Sequence, residues 1–189
     1  YSGTPKSGTS KAKITLDATQ FAPQCELVHA RHGDTLTIEM KSSNPEILNH
    51  CKGALAVEAL QIIKVRLQSG NGNLSVAHVS SPLEFEIGNG AFRATDVTST
   101  DLRGSVGNGN IELAYSEAPR RAHVSLGTGN GDVKIKLPAG TAIDIDQEAG
   151  VGQLINPLGN TPNAPIQIHV QSGVGKTEIA RRLAKLANA

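Results

Sequence analysis

The chain has 189 residues, of which 38% are hydrophobic and 3% aromatic, and its 18 basic and 17 acidic residues leave a formal net charge of +1. This length suits one domain, or at most two, with a continuous core. The interspersed charges and scarce aromatic rings argue against a nucleic-acid partner. Because no run of about 20 apolar residues occurs, no transmembrane segment is expected.

The N-terminal quarter is irregular. Residues 1–10 are rich in Ser, Gly, Thr and Pro and are predicted to be a flexible linker left after processing or truncation, which is weak support for export. Alternating segments predict strands at 11–16, 25–31 and 35–40. A loop is expected at 42–51, and 53–60 is ambiguous between strand and short helix, with strand favoured. Residues 11–60 are therefore predicted to be capping strands of a larger stack.

Several ligand-type side chains fall in this quarter: Cys25, His29, His32, His50 and Cys51. If 25–31 is a strand, Cys25 and His29 share a face but lie about 13 Å apart at ~3.3 Å per residue. Zinc ligands must converge on one ion, so no metal site is expected. A Cys25–Cys51 disulfide is favoured for an exported protein, and two buried free thiols remain the alternative.

The rest of the chain is organised by a repeated tripeptide. It occurs as Gly70-Asn71-Gly72, Gly88-Asn89-Gly90, Gly107-Asn108-Gly109 and Gly129-Asn130-Gly131, followed by Gly150-Val151-Gly152 and Gly173-Val174-Gly175. The first glycines are 18, 19, 22, 21 and 23 residues apart. A period of this size indicates stacked supersecondary units, none of which can bury its apolar face alone.

Strand patterns flank each tripeptide. The residue five before the first glycine is always apolar: Val65, Leu83, Leu102, Val124, Ile145 and Ile168. Polar and apolar residues alternate up to the turn, and alternation resumes beyond it with its parity shifted by one residue. A straight strand would keep its parity, so the tripeptide is predicted to be a corner, with glycine supplying unusual backbone angles and Asn tolerating the left-handed region.

Two strands per repeat joined by a corner predict an all-β, single-domain β-solenoid, similar to a parallel β-helix, with about 20 residues per rung. The alternative is an antiparallel meander with a hairpin at every Asn-Gly. Six repeats are expected over 61–179. Residues 180–189 are expected to be a tail or a short helix covering the open end, since Ile179, Leu183 and Leu186 have helical spacing.

Three clusters have candidate chemistry. Residues 173–177 (Gly-Val-Gly-Lys-Thr) resemble the end of a phosphate-binding loop, but Val170 stands where that loop needs glycine, so a sixth corner is favoured. Asp144, Asp146 and Glu148 could bind Ca²⁺ or cleave polysaccharide, although a solvated strand face is favoured. The four Asn of the corners predict a hydrogen-bonded column, structural in the first place and a binding edge in the alternative.

The glycine turns, the segment 131–142 (Gly-Asp-Val-Lys-Ile-Lys-Leu-Pro-Ala-Gly-Thr-Ala) and the Gly-Val-Gly that follows it resemble bacterial putative-adhesin domains of unknown function. They are also similar to the related toast-rack domains of cell-envelope proteins. The resemblance implies an exported or envelope-associated β-solenoid with no known catalytic residues to carry over.

These observations predict a non-enzymatic envelope or secreted domain, adhesin-like or scaffolding, that acts through surface contacts in the periplasm, the cell envelope or outside the cell. No catalytic residue, metal or cofactor is expected. Candidate partners are a protein or glycan surface, or another copy of the chain through the end strands. The alternatives are a carbohydrate-binding or carbohydrate-active solenoid and an intracellular polymerising scaffold.

Overall fold

The structure is a computed structural model that describes residues 11–17, 24–32, 35–44, 54–60 and 64–182. All regular structure in these ranges is β, and no helix occurs among them. The strands are β1 (Lys11–Asp17), β2 (Cys25–His32), β3 (Thr35–Ser42), β4 (Ala54–Leu60), β5 (Lys64–Asn71), β6 (Asn73–Ala77), β7 (Leu83–Asn89), β8 (Phe92–Val97), β9 (Asp101–Asn108), β10 (Ile111–Tyr115), β11 (Ala122–Asn130), β12 (Val133–Pro138), β13 (Ile143–Ile155) and β14 (Ile166–Arg182).

The strands form two columns that meet at the glycine corners. The first column stacks β5, β7, β9 and β11, and the second stacks β6, β8, β10 and β12. One strand of each column, with the corner between them, makes a rung. Neighbouring rungs pair in parallel, as between β5 and β7 or between β6 and β8. The predicted β-solenoid is confirmed, and the antiparallel meander is wrong.

The predicted apolar column exists. Its members pair in register in the order Val65, Leu83, Leu102, Val124, Ile168 and Ile145. Each is at most 8% exposed. The second column contributes a matching row that includes Leu74, Phe92 and Ile111, so the core lies in the angle between the two columns. Burial of this continuous apolar row is the main favourable contribution to folding.

Gly104 faces the core without an apolar side chain, because the ring of Phe85 on the neighbouring rung fills the space beside it. Phe85 stacks on Phe92 with ring centroids 3.6 Å apart and an interplanar angle of 8°. A Cβ at Gly104 would lie less than 3.0 Å from the Phe85 ring. Glycine is therefore the residue that accommodates the aromatic pair at this level of the core.

The corners need glycine for two different reasons. The second glycine has a φ of 134° at Gly72 and 150° at Gly175, a region that residues with a Cβ rarely adopt. At the first glycine, as at Gly88, a Cβ would lie less than 3.0 Å from the carbonyl oxygen of the preceding corner. The central Asn does not use the left-handed region that it tolerates, because the described non-glycine residues with positive φ are His78, Asp96 and Asn163.

The N-terminal strands β1 to β4 lie close to the segments 11–16, 25–31, 35–40 and 53–60 where strands were expected. β3 and β4 pair in parallel with β5 and β6 and so form a further rung without a Gly-Asn-Gly corner. β2 and β1 then add antiparallel strands to its outer edges. Of the loop expected at 42–51, Ser42 is the last residue of β3 and residues 43–44 form a bend, while 45–51 lie outside the described residues.

The rungs do not stack in chain order at the other end. β14 runs through both columns and pairs with β11 and β12 on one side. On its other side it pairs along its length with β13, which is therefore the end rung. The chain thus leaves β12, passes over one rung position to form β13, and returns to fill the gap with β14.

Specific contacts favour β14 as the neighbour of β12. Lys134 Nζ lies 2.8 Å from Glu178 Oε2, and the Lys176 backbone N–H donates to Asp132 Oδ1 at 2.8 Å. β13 would instead place Ile155 at the level of Glu178 and Gln153 at the level of Lys176. The ion pair at this level therefore favours β14 for the inner position, whereas the backbone N–H that Asp132 accepts would be present on either strand.

β14 also ends later than expected. The strand continues to Arg182, whose register partner is Pro138, whereas the sequence predicted its end near Ile179. The predicted C-terminal helix at 180–189 is thus wrong at its first residues, which continue the strand, and 183–189 lie outside the described residues.

We expect Gly88→Ala to lower the free energy of unfolding by about 1–3 kcal/mol, because its Cβ would clash with the backbone of the corner below. Gly70→Ala is the matched control at the same corner position. No atom of the described residues lies within 4 Å of a Cβ there, so the change should stay within about 1 kcal/mol of the parent protein. Urea unfolding at 25 °C measures both, and equal losses would contradict the close-approach explanation.

Candidate functional site

The charged side chains on the outer face of the second column form ion pairs with one another. Glu112 contacts Lys136 Nζ and lies 3.7 Å from Arg93 Nε, while Lys134 pairs with Glu178. The hydrogen bond from Lys136 lowers the pKa of the Glu112 carboxyl below its usual value, against a smaller opposing effect of burial. Since these charges satisfy one another, this face offers few unpaired groups to a partner.

The outer face of the first column contains a depression, which we call the first-column groove. Its floor is made by Ser105, Ser125 and Gly127, whose small side chains leave a hollow of ≈ 330 Å³ above the sheet. Gly127 has room: a Cβ there would have its nearest neighbour at 3.7 Å, the Cβ of Ser105. The groove continues toward the corners beside Gln171 and Glu148.

The wall toward the N-terminal end of the groove is charged and internally paired. Glu84 lies 3.0 Å from Lys64 Nζ and 3.5 Å from Arg66 Nη2. The hydrogen bond from Lys64 lowers the pKa of the Glu84 carboxyl. Arg66, Glu84 and Arg103 are register partners on successive strands and alternate in sign. Glu84 pairs with Arg66, whereas Arg103 makes its ion pair with Asp101, at 3.2 Å.

The opposite wall carries the acidic row of β13. Asp146 Oδ2 lies 3.2 Å from His169 Nδ1, and the Asp146 side chain is 78% exposed. Asp144 accepts a hydrogen bond from the backbone N–H of Asn163 at 2.8 Å. Among the described residues, no three His, Cys, Asp or Glu side chains are grouped so that they could hold a metal ion.

The corner edge carries the predicted amide column. Asn89 Nδ2 donates to Asn71 Oδ1 at 2.8 Å, Asn108 to Asn89 at 2.9 Å and Asn130 to Asn108 at 2.8 Å. Val174 and Val151 continue the column and are 52% and 70% exposed. Each amide in the column bonds to its neighbours, so the ladder ties rungs together and then ends in an apolar tip.

A second ladder was missed by the sequence reasoning. Side-chain oxygens of Asn73, Asn110 and Asp132, each one residue after the corner, accept hydrogen bonds from backbone N–H groups of the next rung at 2.8–2.9 Å. The signal was present as an Asn or Asp directly after the second glycine in three repeats. These side chains hold the backbone of the neighbouring rung in place, so the oxygens that accept these hydrogen bonds are already used within the protein.

The other candidate residues do not come together as a site. Gly173-Val174-Gly175 and Lys176 lie within β14, which continues as a strand to Arg182, so the helix that a phosphate-binding loop needs does not follow it. Cys25 is buried at the start of β2, while His29 and His32 on that strand are exposed. His50 and Cys51 lie outside the described residues, and the Cys25–Cys51 disulfide stays a prediction.

Comparison with known proteins supports the fold. No protein-family model and no curated protein matches the sequence. The structure is similar to the crystal structure of a putative cell adhesion protein from Clostridium sporogenes ATCC 15579, with a TM-score of 0.51 and 16% identity over 94% of this chain and 85% of that chain. The resemblance to putative-adhesin domains is thus confirmed at the level of the fold. Among the residues described, no helix has the length and apolarity to cross a membrane.

We expect Glu112→Gln to lower the free energy of unfolding by about 1 kcal/mol at pH 7, because the charged form is stabilised by Lys136. A folded-state pKa below the unfolded one gives stability that is present above the unfolded pKa and is lost as the pH falls. The difference from the parent should therefore begin to shrink as the pH falls below about 4.3 and disappear once the pH is below the folded-state pKa. Exposed Glu117→Gln is the control, and a difference that stays undiminished at pH 3 would contradict the ion-pair explanation.

The disulfide is testable with the unmodified chain. If Cys25 and Cys51 are bridged, a thiol reagent in denaturant should find no reactive thiol without reductant and two after reduction. Two thiols in the unreduced protein would remove the prediction.

Proposed function

We propose that this protein is a non-enzymatic adhesin-like or scaffold domain of the cell envelope or cell exterior, and that it contacts surface glycans through the first-column groove. The observation that carries the proposal is the groove itself: a hollow floored by Ser105, Ser125 and Gly127 on an otherwise regular, rigid face. The likeness to a putative cell adhesion protein supports the same class of function.

The groove suits a neutral, polyhydroxylated chain. Its floor lets a ligand approach the sheet closely, and Gln171, His169 and Asp146 at one wall can exchange hydrogen bonds with sugar hydroxyls. The charges on the opposite wall are paired within the protein, so they favour a neutral ligand over a strongly charged one. Since no aromatic ring other than that of Phe85 lines the groove among the described residues, we expect weak single-site affinity.

A weak site is consistent with adhesion. Several copies on one surface bind a multivalent target with an avidity far above the affinity of one site. Location at the cell surface and a Cys25–Cys51 bridge belong to this proposal, because an oxidising compartment is where such a bridge persists.

Glycan cleavage is the second candidate, since Asp144, Asp146 and Glu148 line one wall at the two-residue spacing of a strand. A glycosidase needs a carboxyl group shielded from water to act as its acid. The Asp146 side chain is 78% exposed, and Asp144 is already used to hold the Asn163 backbone. We therefore favour binding over cleavage.

We expect the protein, displayed in many copies on beads, to bind a subset of neutral oligosaccharides on a glycan array. Gly127→Arg should abolish this binding by filling the groove, with little change in melting temperature because the site has room for a Cβ. Ser75→Arg, on the exposed outer face of the second column, is the matched control and should bind as the parent does.

Three results would count against the proposal. Absence of binding to every neutral glycan would exclude this ligand class, and saturable binding to immobilised matrix proteins instead would point to a protein partner. Release of shortened oligosaccharides from bound glycans would show that the domain is an enzyme.

A further inference from the structure

The position of β14 between β12 and β13 carries an inference about assembly. The gap that β14 fills, which we call the β14 slot, has two walls: β11 and β12 on one side and β13 on the other. Both walls are formed by chain that precedes β14. We propose that the β14 slot also accepts the β14 strand of a second copy, so that the protein assembles by strand exchange.

The slot is specific for a strand of this sequence. Glu178 meets Lys134, the Lys176 backbone meets Asp132, and His169 meets Asp146 on the opposite wall. The inward residues Ile166, Ile168 and Val170 complete the apolar column. A second copy supplies all of these groups in the same register, whereas an unrelated strand would leave charges unpaired and apolar positions unfilled.

β14 also carries buried polar side chains that lack hydrogen-bond partners within the described part of the chain. The hydroxyls of Ser172 and Thr177, which are 2% and 0% exposed, have no hydrogen-bond partner among the described residues. The side-chain oxygen of Gln147 on the facing β13 is in the same condition. Buried polar groups without partners weaken the packing of the element that carries them, so β14 should leave its slot more readily than β7 or β9 leave theirs.

Exchange requires the connection before β14 to open, which breaks the hydrogen bonds from the Thr161 N–H to the Ile143 carbonyl and from the Asn163 N–H to Asp144, both 2.8 Å long. Residues 156–165 form turns and irregular chain, and seven of the ten are exposed, with Pro157, Pro162 and Pro165 among the ten. The connection runs from the end of β13 back across the rung to the start of β14, and its ten residues span about 33 Å when fully extended. The opened connection can therefore carry β14 to a neighbouring molecule without unfolding the preceding rungs.

Strand exchange has two geometric outcomes. Two copies that exchange β14 reciprocally form a closed dimer, and copies that donate in succession form an open chain. In both, every β14 lies in a slot like the one it leaves, so the contacts within the rung are kept and only the connection changes its path.

A pair of cysteines placed across the slot distinguishes exchange from other association. Glu148 and Gln171 are register partners on β13 and β14, and both side chains are exposed. In the double variant E148C/Q171C, a bond formed in a closed monomer joins one chain to itself, while a bond formed after exchange joins two chains. Neighbouring strands lie at a separation that a disulfide can bridge.

The control is E86C/S105C, a register pair on β7 and β9 that stays within one chain in either state. Both variants are incubated at high concentration in mild urea, returned to buffer, fractionated by size with light scattering, oxidised and run on non-reducing gels. We expect an oligomeric fraction in which E148C/Q171C gives covalent dimers or ladders and E86C/S105C gives monomers.

Three results would overturn the proposal: no oligomeric fraction, monomer bands from both variants in that fraction, or covalent dimers from both. A second variant measures the weakness of β14 directly. Thr177→Val replaces an unpartnered hydroxyl by a methyl group of similar size, and we expect roughly tenfold slower exchange into labelled protein. Unchanged or faster exchange would exclude the buried hydroxyl as a cause.

Discussion

The structure depends on the close approach of one backbone to the next at the glycine corners. At each corner after the first, a Cβ on the first glycine would fall less than 3.0 Å from the carbonyl oxygen of the neighbouring corner. The rungs can approach this closely in one register only. That register also fixes which residues lie next to each other in the two columns on either side of the corner. The apolar rows, the amide column and the side-chain-to-backbone ladder are consequences of that register, because each requires equivalent residues to lie directly above one another.

A fixed register also allows rungs to be ordered differently from the chain. β13 and β14 both carry the corner glycines, so either satisfies the backbone constraint. What separates them is the side chains: Lys134 pairs with Glu178 on β14, whereas β13 would place Ile155 at that level. The backbone therefore selects the fold, and a few polar contacts select the order within it.

This division explains how far the sequence could be interpreted. The tripeptide period and the parity shift are enough to predict the two columns and the apolar row, because both can be recognised from the residues immediately around each turn. The order of the last two rungs depends on pairs such as Lys134–Glu178, which are 44 residues apart and have no local signature. The rung made by β3 and β4 was not predicted, because no Gly-Asn-Gly tripeptide joins these two strands. The expectation that glycine supplies the unusual backbone angles holds at the second glycine of the corners, as at Gly72 and Gly175.

The groove was not predictable for a related reason. Outward residues of the first column are free to vary, since the corner and the inward row already fix the rung. The small outward residues Ser105 on β9 and Ser125 and Gly127 on β11 have no meaning in a single repeat and form a hollow only when neighbouring rungs are stacked. In such a fold the inward-facing residues determine stability, and the outward-facing residues determine function. Ligand specificity can therefore change by substitution along the outer face while the corners keep the stack intact.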